Sequence, residues 1–245
     1  MRHPGTMYGA AVLSLLIHAG TANAESERQA CARSLLERSA GENLTYRVDW
    51  KGFSLDSTRR VKRLEDGAWL AANNSSLLFM AIEESSRFRL VDGQVVSRTY
   101  DYRRKGLSKK QNLKLEFSPG EGYSAFSPRG DGEIAHATPL YDLLNHQLQL
   151  RIDLACSAPR AEYRYDIARR SRVSEYRYRR VGEERVQTPV GELTAVRLER
   201  GEPGDKFSQV WLAPELGYLI VKLVYQEEDD DKAELVLVKK PGAGG

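Results

Sequence analysis

Histidine side chains can bind metals or transfer protons near neutral pH, and this sequence contains four histidines. Two of them, His136 and His146, lie in the body of the chain. Neither has a cysteine or carboxylate at metal-ligand spacing, so the pattern favours surface or helix-capping histidines and predicts no metal site. The sequence also lacks the nucleophile elbow, phosphate-binding loop, dinucleotide fingerprint and zinc-protease motif. We therefore expect no catalytic residue, no cofactor and a non-enzymatic protein.

Five consecutive acids, "EEDDD" at 227–231, could supply oxygen ligands to Ca²⁺. They lack the spaced ligands and the central glycine of a calcium loop. They also stand between two strand-like segments, which predicts a solvated hairpin tip. The basic stretch "RRKGLSKK" at 103–110 is likewise predicted to be a solvated turn, with positive charge in place of negative.

The N-terminus has the three parts of a secretory signal peptide. A basic start at Arg2 precedes an apolar run over 10–20, and alanines at 22 and 24 form an A-x-A cleavage site. The apolar run is shorter than the roughly 20 residues that span a bilayer, so we do not expect a membrane-spanning protein. The alternative is a buried N-terminal helix, which the polar residues after Ala24 disfavour. The pattern predicts a signal peptide over residues 1–24, cleavage after Ala24 and a periplasmic protein.

Two cysteines, Cys31 and Cys156, remain after that cleavage. An exported protein meets an oxidising environment, and a single pair permits one intramolecular connectivity. Closing so long a loop would disfavour the unfolded chain by about 5 kcal/mol on the chain-entropy model. We predict a disulfide, with two buried free thiols as the alternative.

Arginines and tyrosines dominate residues 161–180, "AEYRYDIARRSRVSEYRYRR". Aromatic and basic residues on a sheet are used by single-stranded nucleic-acid binders. The predicted export and a mature chain that is nearly neutral argue against nucleic acid, although a basic strip facing an anionic membrane or a glycan stays open. The alternation predicts two strands joined by a turn at 168–172. Their tyrosines share one face, directed either to the core or to a ligand: Tyr163, Tyr165, Tyr176 and Tyr178.

From Leu44 onward the hydrophobic pattern has a period of two, which is typical of half-buried strands. Turn signals such as "EDG" at 65–67 and "VDG" at 91–93 separate the segments. Because long helical spacers are missing between the segments, we expect antiparallel pairing. The predicted strands cover 44–50, 57–65, 68–74, 86–92, 94–104, 111–117, 161–168, 173–187, 191–200, 206–213, 217–226 and 232–240.

Two helices are predicted, a short one within 25–41 and a packed one over 139–150. For the packed helix, Thr138 is a good N-cap and Pro139 suits the first helical position. Four leucines at i, i+3, i+4 and i+8 make the stripe that a helix buries against a sheet: Leu140, Leu143, Leu144 and Leu148. The following "LQLRIDLAC" either continues this helix or becomes a strand.

Glycine and proline are dense over residues 118–139, which predicts a mobile loop over an opening of the sheet. The "RGD" at 129–131 matches an adhesion tripeptide, but a match of three residues arises by chance. Its Gly-Asp-Gly context is turn chemistry, and we give it no functional role.

The C-terminal half resembles the bacterial domain-of-unknown-function 3108 family. The resemblance rests on "VQTPVGELTAVRLER" followed by "VWLAPELGYLIVKLVYQEEDDDKAELVL". The segment "TPLYDLLNHQLQLRIDL" is similar to the family's central helix, and "LTYRVDWKGFSLDSTRRVKR" to its opening hairpin. These blocks span residues 42–238 in the family's order. The chain departs from the pattern at Ile220, where the family often has proline, and at the acidic tip, which replaces an Asp-Gly turn.

The resemblance implies an exported, mainly β protein. We expect a strongly curved antiparallel sheet, an open half-barrel of the lipoprotein and lipid-carrier type, with one packed helix and a short N-terminal helix. The predicted organisation is a signal peptide at 1–24, a helix at 25–41, a single β-rich domain at 42–240 and a disordered tail at 241–245.

The function cannot be predicted in the same way, because the family has no assigned activity that could be transferred to this chain. The leading hypothesis is a non-enzymatic envelope protein whose curved sheet holds a lipid or other hydrophobic ligand. The alternative is an interaction or scaffold module that docks on an envelope protein or on peptidoglycan. A third hypothesis is a hydrolase, which a cluster of acids around His136 in a cleft would favour.

Overall fold

The computed structural model describes residues 11–77, 79–106, 108–202, 206–227 and 231–239. These residues form two α-helices, α1 (Ala11–Ser39) and α2 (Asn145–Cys156), and fifteen strands. The strands are β1 (Asn43–Trp50), β2 (Phe53–Arg63), β3 (Trp69–Leu77), β4 (Met80–Val91), β5 (Gln94–Lys105), β6 (Leu113–Ser118), β7 (Gly122–Phe126), β8 (Gly132–Ala135), β9 (Leu140–Tyr141), β10 (Glu162–Ala168), β11 (Val173–Thr188), β12 (Gly191–Arg200), β13 (Phe207–Ala213), β14 (Leu219–Glu227) and β15 (Asp231–Lys239).

Helix α1 is longer than the predicted N-terminal helix. It includes most of the predicted helical residues but begins at Ala11, so the predicted cleavage position after Ala24 lies inside it. Residues 1–10 of the predicted signal peptide and the predicted tail at 241–245 lie outside the described residues.

The described strands form one sheet in the order β8-β7-β6-β5-β4-β3-β2-β1-β15-β14-β13-β12-β11-β10-β9. Neighbouring strands pair antiparallel, with the exception of β9 and β10, which are parallel. Because β1 pairs with β15, the first and last strands meet inside the sheet, and β8 and β9 form its edges. The prediction of a mainly β, antiparallel fold is confirmed.

The sheet is strongly curved, as predicted. Helix α2 contacts both β5 and β10, which are ten places apart in the sheet order. In a flat sheet those strands would be roughly 48 Å apart, whereas a helix is about 10–12 Å across. The sheet therefore curls around α2 as a half-barrel.

The two edges of the half-barrel approach each other along a seam that side chains bridge. Ser97 Oγ on β5 donates a hydrogen bond to the carbonyl oxygen of Leu140 on β9, at 2.7 Å. Tyr123 Oη on β7 donates to the carbonyl oxygen of Arg169, at 2.6 Å. Among the described residues no strand ladder joins β8 to β9, so the barrel stays open.

The two helices fill the concave face of the sheet. Leu36 of α1, and Leu150 and Ile152 of α2, are at most 1% exposed. Nearly all of α2 is buried, and its buried residues include Asn145, His146, Gln149, Arg151 and Asp153. A helix buried on all sides has to satisfy such polar groups inside the protein.

A second apolar cluster lies on the opposite face of the C-terminal strands. Along β13, Val210 and Leu212 face the helices, whereas Trp211 and Ala213 belong to this second cluster. All four residues of the run "VWLA" are apolar, both those that face the helices and those that face away. This is expected for a strand that is buried on both faces. Strand β11 contacts β15, four places away in the sheet order, so the β11–β12 hairpin folds over this face.

The predicted start of the packed helix is wrong. Residues Leu140 and Tyr141 form β9 and pair with Asp166 and Ile167 of β10, and α2 begins only at Asn145. The leucine spacing was compatible with a helix, but pairing with a strand more than twenty residues further along the chain took precedence. The segment after Leu148, left open by the sequence, continues the helix to Cys156.

The prediction of a loop-rich, mobile interval over 118–139 overlooked two strands. This interval contains β7 and β8, which extend the sheet beyond β6. Tyr123 and Ala125 of β7 are buried on its inner face, at 3% and 0% exposure. The short period-two pattern "GYSAF" carried this signal, but the surrounding glycines and prolines obscured it.

Candidate functional site

The disulfide between Cys31 and Cys156 fixes helix α1 to the C-terminal end of α2. The two Cα atoms are 5.7 Å apart, and the bond spans 125 positions. The predicted pairing is confirmed, and it holds both helices against the concave face.

A polar network beside the disulfide surrounds the carboxylate of Asp153. Its Oδ1 accepts hydrogen bonds from Arg28 at 2.6 Å and from Gln149 Nε2 at 2.9 Å. Its Oδ2 accepts a hydrogen bond from Tyr165 Oη at 2.7 Å. Arg28 donates in addition to Ser157 Oγ. This buried carboxylate is therefore paired with a cation and hydrogen-bonded on both oxygens.

The four predicted tyrosines lie on the helix side of β10 and β11. Tyr163 pairs with Tyr178, and Tyr165 pairs with Tyr176, directly across the two strands. Tyr163, Tyr165 and Tyr178 are at most 5% exposed, and Tyr176 is half-buried. In this structure they contact core side chains around α2, and their role in ligand binding stays a prediction. The arginines between them, Arg164, Arg177 and Arg179, are exposed.

His146 is buried among these rings, which differs from the surface or capping position expected from the sequence. Its Nε2 lies 3.0 Å from Tyr178 Oη, and its Nδ1 lies 3.1 Å from the carbonyl oxygen of Asp142. Burial lowers the pKa of His146 to about 3, so the ring is neutral.

Asp142 shapes the turn that leads into α2. Its Oδ1 accepts hydrogen bonds from the backbone N–H groups of Leu144 at 2.8 Å and Asn145 at 2.7 Å. Its Oδ2 accepts one from Ser86 Oγ at 2.6 Å. Burial nevertheless raises the pKa of Asp142 to about 7, because the charged form has lost its hydration.

The other candidate histidine, His136, does have a carboxylate and a hydroxyl beside it. Its Nε2 lies 2.9 Å from Asp166 Oδ2 and 2.6 Å from Thr138 Oγ1, and Thr138 also donates to Asp166 at 2.7 Å. In a nucleophile–histidine–acid relay the acid and the nucleophile bind different ring nitrogens. Here both contact Nε2, so the geometry does not activate the threonine. The contacts fasten the segment before β9 to β10.

A second polar site on α2 is a cavity lined by Arg151 and Arg59. Arg151 is 6% exposed, and Nε donates to the carbonyl oxygen of Gly217 at 3.3 Å. Among the described residues this is its one hydrogen bond, and no carboxylate oxygen lies within 4.0 Å of its guanidinium. Glu42 and Gln147 complete the polar lining. Sequence reasoning missed this site, although an arginine within the leucine-rich "LQLRIDLA" was an available signal.

The hairpin end of the sheet exposes large aromatic side chains. Trp50 and Phe53 pair across the β1–β2 hairpin and are 47% and 60% exposed. Phe79, in the β3–β4 turn, is 77% exposed. The β2–β3 pairing ends at Asp56 and Ser76, and Phe53 and Phe79 each lie three residues beyond it, so the aromatics stand on adjacent hairpins.

Charged residues of both signs flank these aromatics. The side chain of Lys51 lies over the Trp50 ring, with its Nζ 5.4 Å from the centroid. Lys105 pairs with Glu83 at 2.5 Å where β5 ends beside the β3–β4 hairpin. The first part of the basic stretch, Arg103, Arg104 and Lys105, lies at the end of β5 on this side of the sheet, and the acidic residues Glu227 and Asp231 lie there at the ends of β14 and β15. The part of the acidic stretch at 228–230 is outside the described residues.

Two further properties concern metals and membranes. In the part of the chain that the structure describes, no three His, Cys, Asp or Glu side chains are grouped as metal ligands would be. No described helix combines the length and the apolar character that crossing a bilayer requires.

The sequence matches one protein-family model over residues 45–237, that of DUF3108, described as a protein of unknown function. The match covers most of the chain. This protein belongs to the DUF3108 family. No curated protein sequence matches the chain.

Two solved structures match this chain at low sequence identity. A β-barrel-like protein of the domain of unknown function DUF1849 from Brucella abortus superposes with a TM-score of 0.52 and 9% identity, covering 82% of this chain and 96% of that one. The MucA/MucB complex of Pseudomonas aeruginosa gives a TM-score of 0.34 and 14% identity, covering 89% of this chain and 58% of that one. The DUF1849 likeness supports a β-barrel-like fold and leaves function to the geometry of the chain itself.

Proposed function

We propose that this DUF3108 protein is an exported, non-enzymatic component of the cell envelope that acts by docking its hairpin end on a partner protein. The signal-peptide pattern over residues 1–24 supports export to the periplasm. The Cys31–Cys156 disulfide supports it independently, because such bonds persist in oxidising compartments.

The exposed aromatic end carries the proposal. Three large aromatic side chains on two adjacent hairpins, Trp50, Phe53 and Phe79, are each about half exposed or more. Burying them would be worth roughly 1.5–3 kcal/mol each, so leaving them in water is costly. Aromatic residues concentrate at the centres of protein interfaces, where a few anchors supply most of the binding energy.

The surrounding charges favour a protein surface over a polyanion. The basic residues Arg103, Arg104 and Lys105 end β5 on one side of the aromatics, and the acidic residues Glu227 and Asp231 end β14 and begin β15 on the other. An anionic surface would attract the first group and repel the second, whereas a protein can present complementary charges to both.

The absence of an activity is part of the proposal. The His136 cluster is the strongest candidate for catalysis among the described residues, and its Nε2 is shared by Asp166 and Thr138. His146 is buried and neutral. We therefore expect the purified protein to lack hydrolytic activity, and loss of a measured activity on His136→Ala would contradict this expectation.

Site-specific cross-linking tests the docking surface in intact cells. A photoreactive phenylalanine analogue at Phe53 or Phe79 should give one discrete adduct, while the same analogue at Val181, which is 40% exposed elsewhere, should not. Once identified, the partner should bind the purified protein, and Phe53→Ser should weaken that binding at least tenfold, unlike Val181→Ser. Equal binding by both variants would refute the proposed surface.

A hydrophobic ligand is the second candidate function, and the open seam of the half-barrel favours it. A cleft of about 160 Å³ lies there, lined by apolar side chains that include Val95, Phe117, Pro139 and Leu140. An apolar cavity of similar size can hold a benzene-sized molecule, so only part of a lipid would fit without further opening.

Ligand retention separates this candidate from docking. Under native mass spectrometry, a carrier should retain a lipid or take up a fluorescent fatty acid without any partner present. Leu140→Trp, which would fill the seam cleft, should reduce uptake, and Val181→Trp is the control. Uptake that is missing from the wild-type protein would rule out the carrier function.

A further inference from the structure

Three unpaired buried polar atoms line the cavity beside Arg151. They are Oε2 of Glu42, Nε of Arg59 and Oε1 of Gln147, and each lacks a hydrogen-bond partner among the described residues. Buried side-chain polar atoms are nearly always paired in folded proteins. Three exceptions at one cavity indicate that something outside the chain binds there.

Arg151 adds a charge that no described carboxylate pairs with at contact distance. Burial lowers the pKa of its guanidinium, yet arginine stays protonated in proteins. A buried charge without a counterion is strongly unfavourable. Glu42 is the nearest acid that acts on it, but no oxygen of Glu42 lies within 4.0 Å, and burial raises the pKa of Glu42. The site therefore has an excess of positive charge.

Arg59 contributes a second cation to the same cavity. Its guanidinium lies 5.4 Å from the centroid of the Tyr46 ring, and it forms no ion pair among the described residues. Arg60 lies at the mouth of the same cavity, and its side chain is exposed. Two guanidinium groups from different elements, α2 and β2, thus face one enclosed space.

The cavity is small and partly open to solvent. Its volume is about 20 Å³, which is room for one water molecule. Apolar side chains form the remaining walls, including Leu44, Val61, Leu148 and Ile220. A polar head could enter the cavity while an attached apolar part lies along these walls.

We infer that this cavity binds an oxyanion group, a carboxylate or a phosphate, between the guanidinium groups of Arg151 and Arg59. Guanidinium presents paired N–H donors that match the oxygens of both groups. A water molecule could pair with Glu42, Arg59 and Gln147, but it would leave the charge of Arg151 uncompensated. An oxyanion accepts hydrogen bonds from the guanidinium groups of Arg59 and Arg151 and offsets their charge. Oε2 of Glu42 and Oε1 of Gln147 are themselves acceptors, so a bridging water or a ligand hydroxyl pairs with them. This site is separate from the hairpin end and does not depend on the docking function.

The ligand could be a free anion or the head group of an amphiphile. Both ligands would present an oxyanion to the two arginines. They differ in that only an amphiphile would gain affinity from contacts with the apolar walls. Gln147 Oε1 accepts hydrogen bonds, so a ligand hydroxyl or a bridging water would complete the site.

Thermal unfolding of the full chain with two probes tests the inference. Inorganic phosphate and sodium laurate should each raise the Tm of the wild-type protein in a concentration-dependent way, because a ligand of the native state stabilises it. If laurate acts at concentrations at least tenfold lower than phosphate, the source is an amphiphile. Comparable concentrations indicate a free anion.

The decisive variant is Arg151→Met, which removes the charge and retains an apolar side chain of similar length. We expect its Tm without probe to equal or exceed that of wild type, and the probe-dependent rise to fall at least tenfold in potency. Lys62→Met is the matched control, because it removes one exposed charge from β2 outside the cavity and should keep the rise. Arg59→Lys retains the positive charge but lacks the paired N–H donors of a guanidinium group. The probes should stabilise this variant with a potency between those for wild type and Arg151→Met.

Two results of the thermal unfolding would overturn the inference. One is a wild-type Tm that neither probe changes. The other is an Arg151→Met variant that responds to both probes as the wild type does. Crystals grown with phosphate or laurate that show only a water molecule between Arg59 and Gln147 would also overturn it, and an anion within hydrogen-bonding distance of Arg151 would support it.

Discussion

Arg151 and Asp153 lie two positions apart on α2 and are equally buried, at 6% exposure, yet their surroundings differ completely. Asp153 has a cation at 2.6 Å and two further donors. Arg151 has one backbone carbonyl at 3.3 Å and no acid within 4.0 Å.

The charge of Asp153 is neutralised within the chain and has a structural role. For Arg151, we infer that a bound ligand supplies the missing anion. The Asp153 side joins α1, α2 and β10 through pairs formed within the chain. The Arg151 side faces a cavity in which Glu42, Arg59 and Gln147 each have an unpaired buried atom. The two residues are equally buried, so burial does not distinguish their roles. The number of hydrogen-bond and ion-pair partners within the chain does.

Removing the paired charge should have the largest effect. Asp153→Ala leaves the Arg28 guanidinium, Gln149 and Tyr165 without their common acceptor, so we expect a loss of about 3–5 kcal/mol in the free energy of unfolding. Urea denaturation followed by circular dichroism measures it. Glu175→Ala breaks an exposed pair with Arg177 and should cost less than about 1 kcal/mol. Equal losses in both variants would mean that the Asp153 network is not structural.

Breaking the disulfide beside Asp153 should have the next largest effect. We expect the double variant Cys31→Ser/Cys156→Ser to lose about 2–4 kcal/mol, because the unfolded chain regains the freedom of a 125-residue loop. Chemical denaturation measures the loss, and the wild-type protein treated with a reductant should match the variant. An unchanged midpoint after reduction would show that the bond does not constrain the unfolded chain.

Removing the unpaired charge should act in the opposite direction. Arg151→Met should stabilise the ligand-free protein by about 1 kcal/mol, because it removes a buried charge that has no acid at pairing distance. Arg28→Met is the matched variant, since it removes a paired arginine and should destabilise. If both variants destabilise to the same extent in urea denaturation, the contrast between the two sides of α2 does not hold.

The last effect concerns the pH dependence of stability at the start of α2. Burial raises the pKa of Asp142 to about 7 from an ordinary 3.8, so this group makes stability fall as the pH rises between those values. Burial lowers the pKa of His146 to about 3 from an ordinary 6.5, so His146 makes stability rise over that interval. From about pH 4 to 6.5 the two contributions oppose each other.

Asp142→Asn should expose the contribution of His146. The amide can still accept the backbone hydrogen bonds of Leu144 and Asn145, but it no longer titrates. We expect stability to rise more steeply with pH than in wild type, by up to about 1.4 kcal/mol per pH unit, between pH 4.5 and 6.5. Urea denaturation at several pH values measures the slope, and Asp56→Asn at an exposed position is the control. Identical slopes in wild type and Asp142→Asn would contradict the opposing-titration account.

Much of the fold could be predicted because its signals are local. The alternation in "EYRYDIA" and "SEYRYRR" set both strands of the β10–β11 hairpin and the shared face of its tyrosines. The resemblance in the C-terminal half identified the family, and a single cysteine pair left one disulfide. The start of α2 could not be predicted, because Leu140 and Tyr141 fit a helix equally well until β10 lies beside them.

The sequence by itself therefore determined the family, the strand pattern and the covalent link between Cys31 and Cys156. Only the tertiary structure decided which of two neighbouring charges is paired. Asp153 finds Arg28 across 125 positions of chain, and Arg151 meets Arg59 and Glu42 from β2 and the segment before β1 without meeting an acid at pairing distance. Periodicity specifies which face of an element is buried, but the partners on that face come from distant segments, and only packing brings them together.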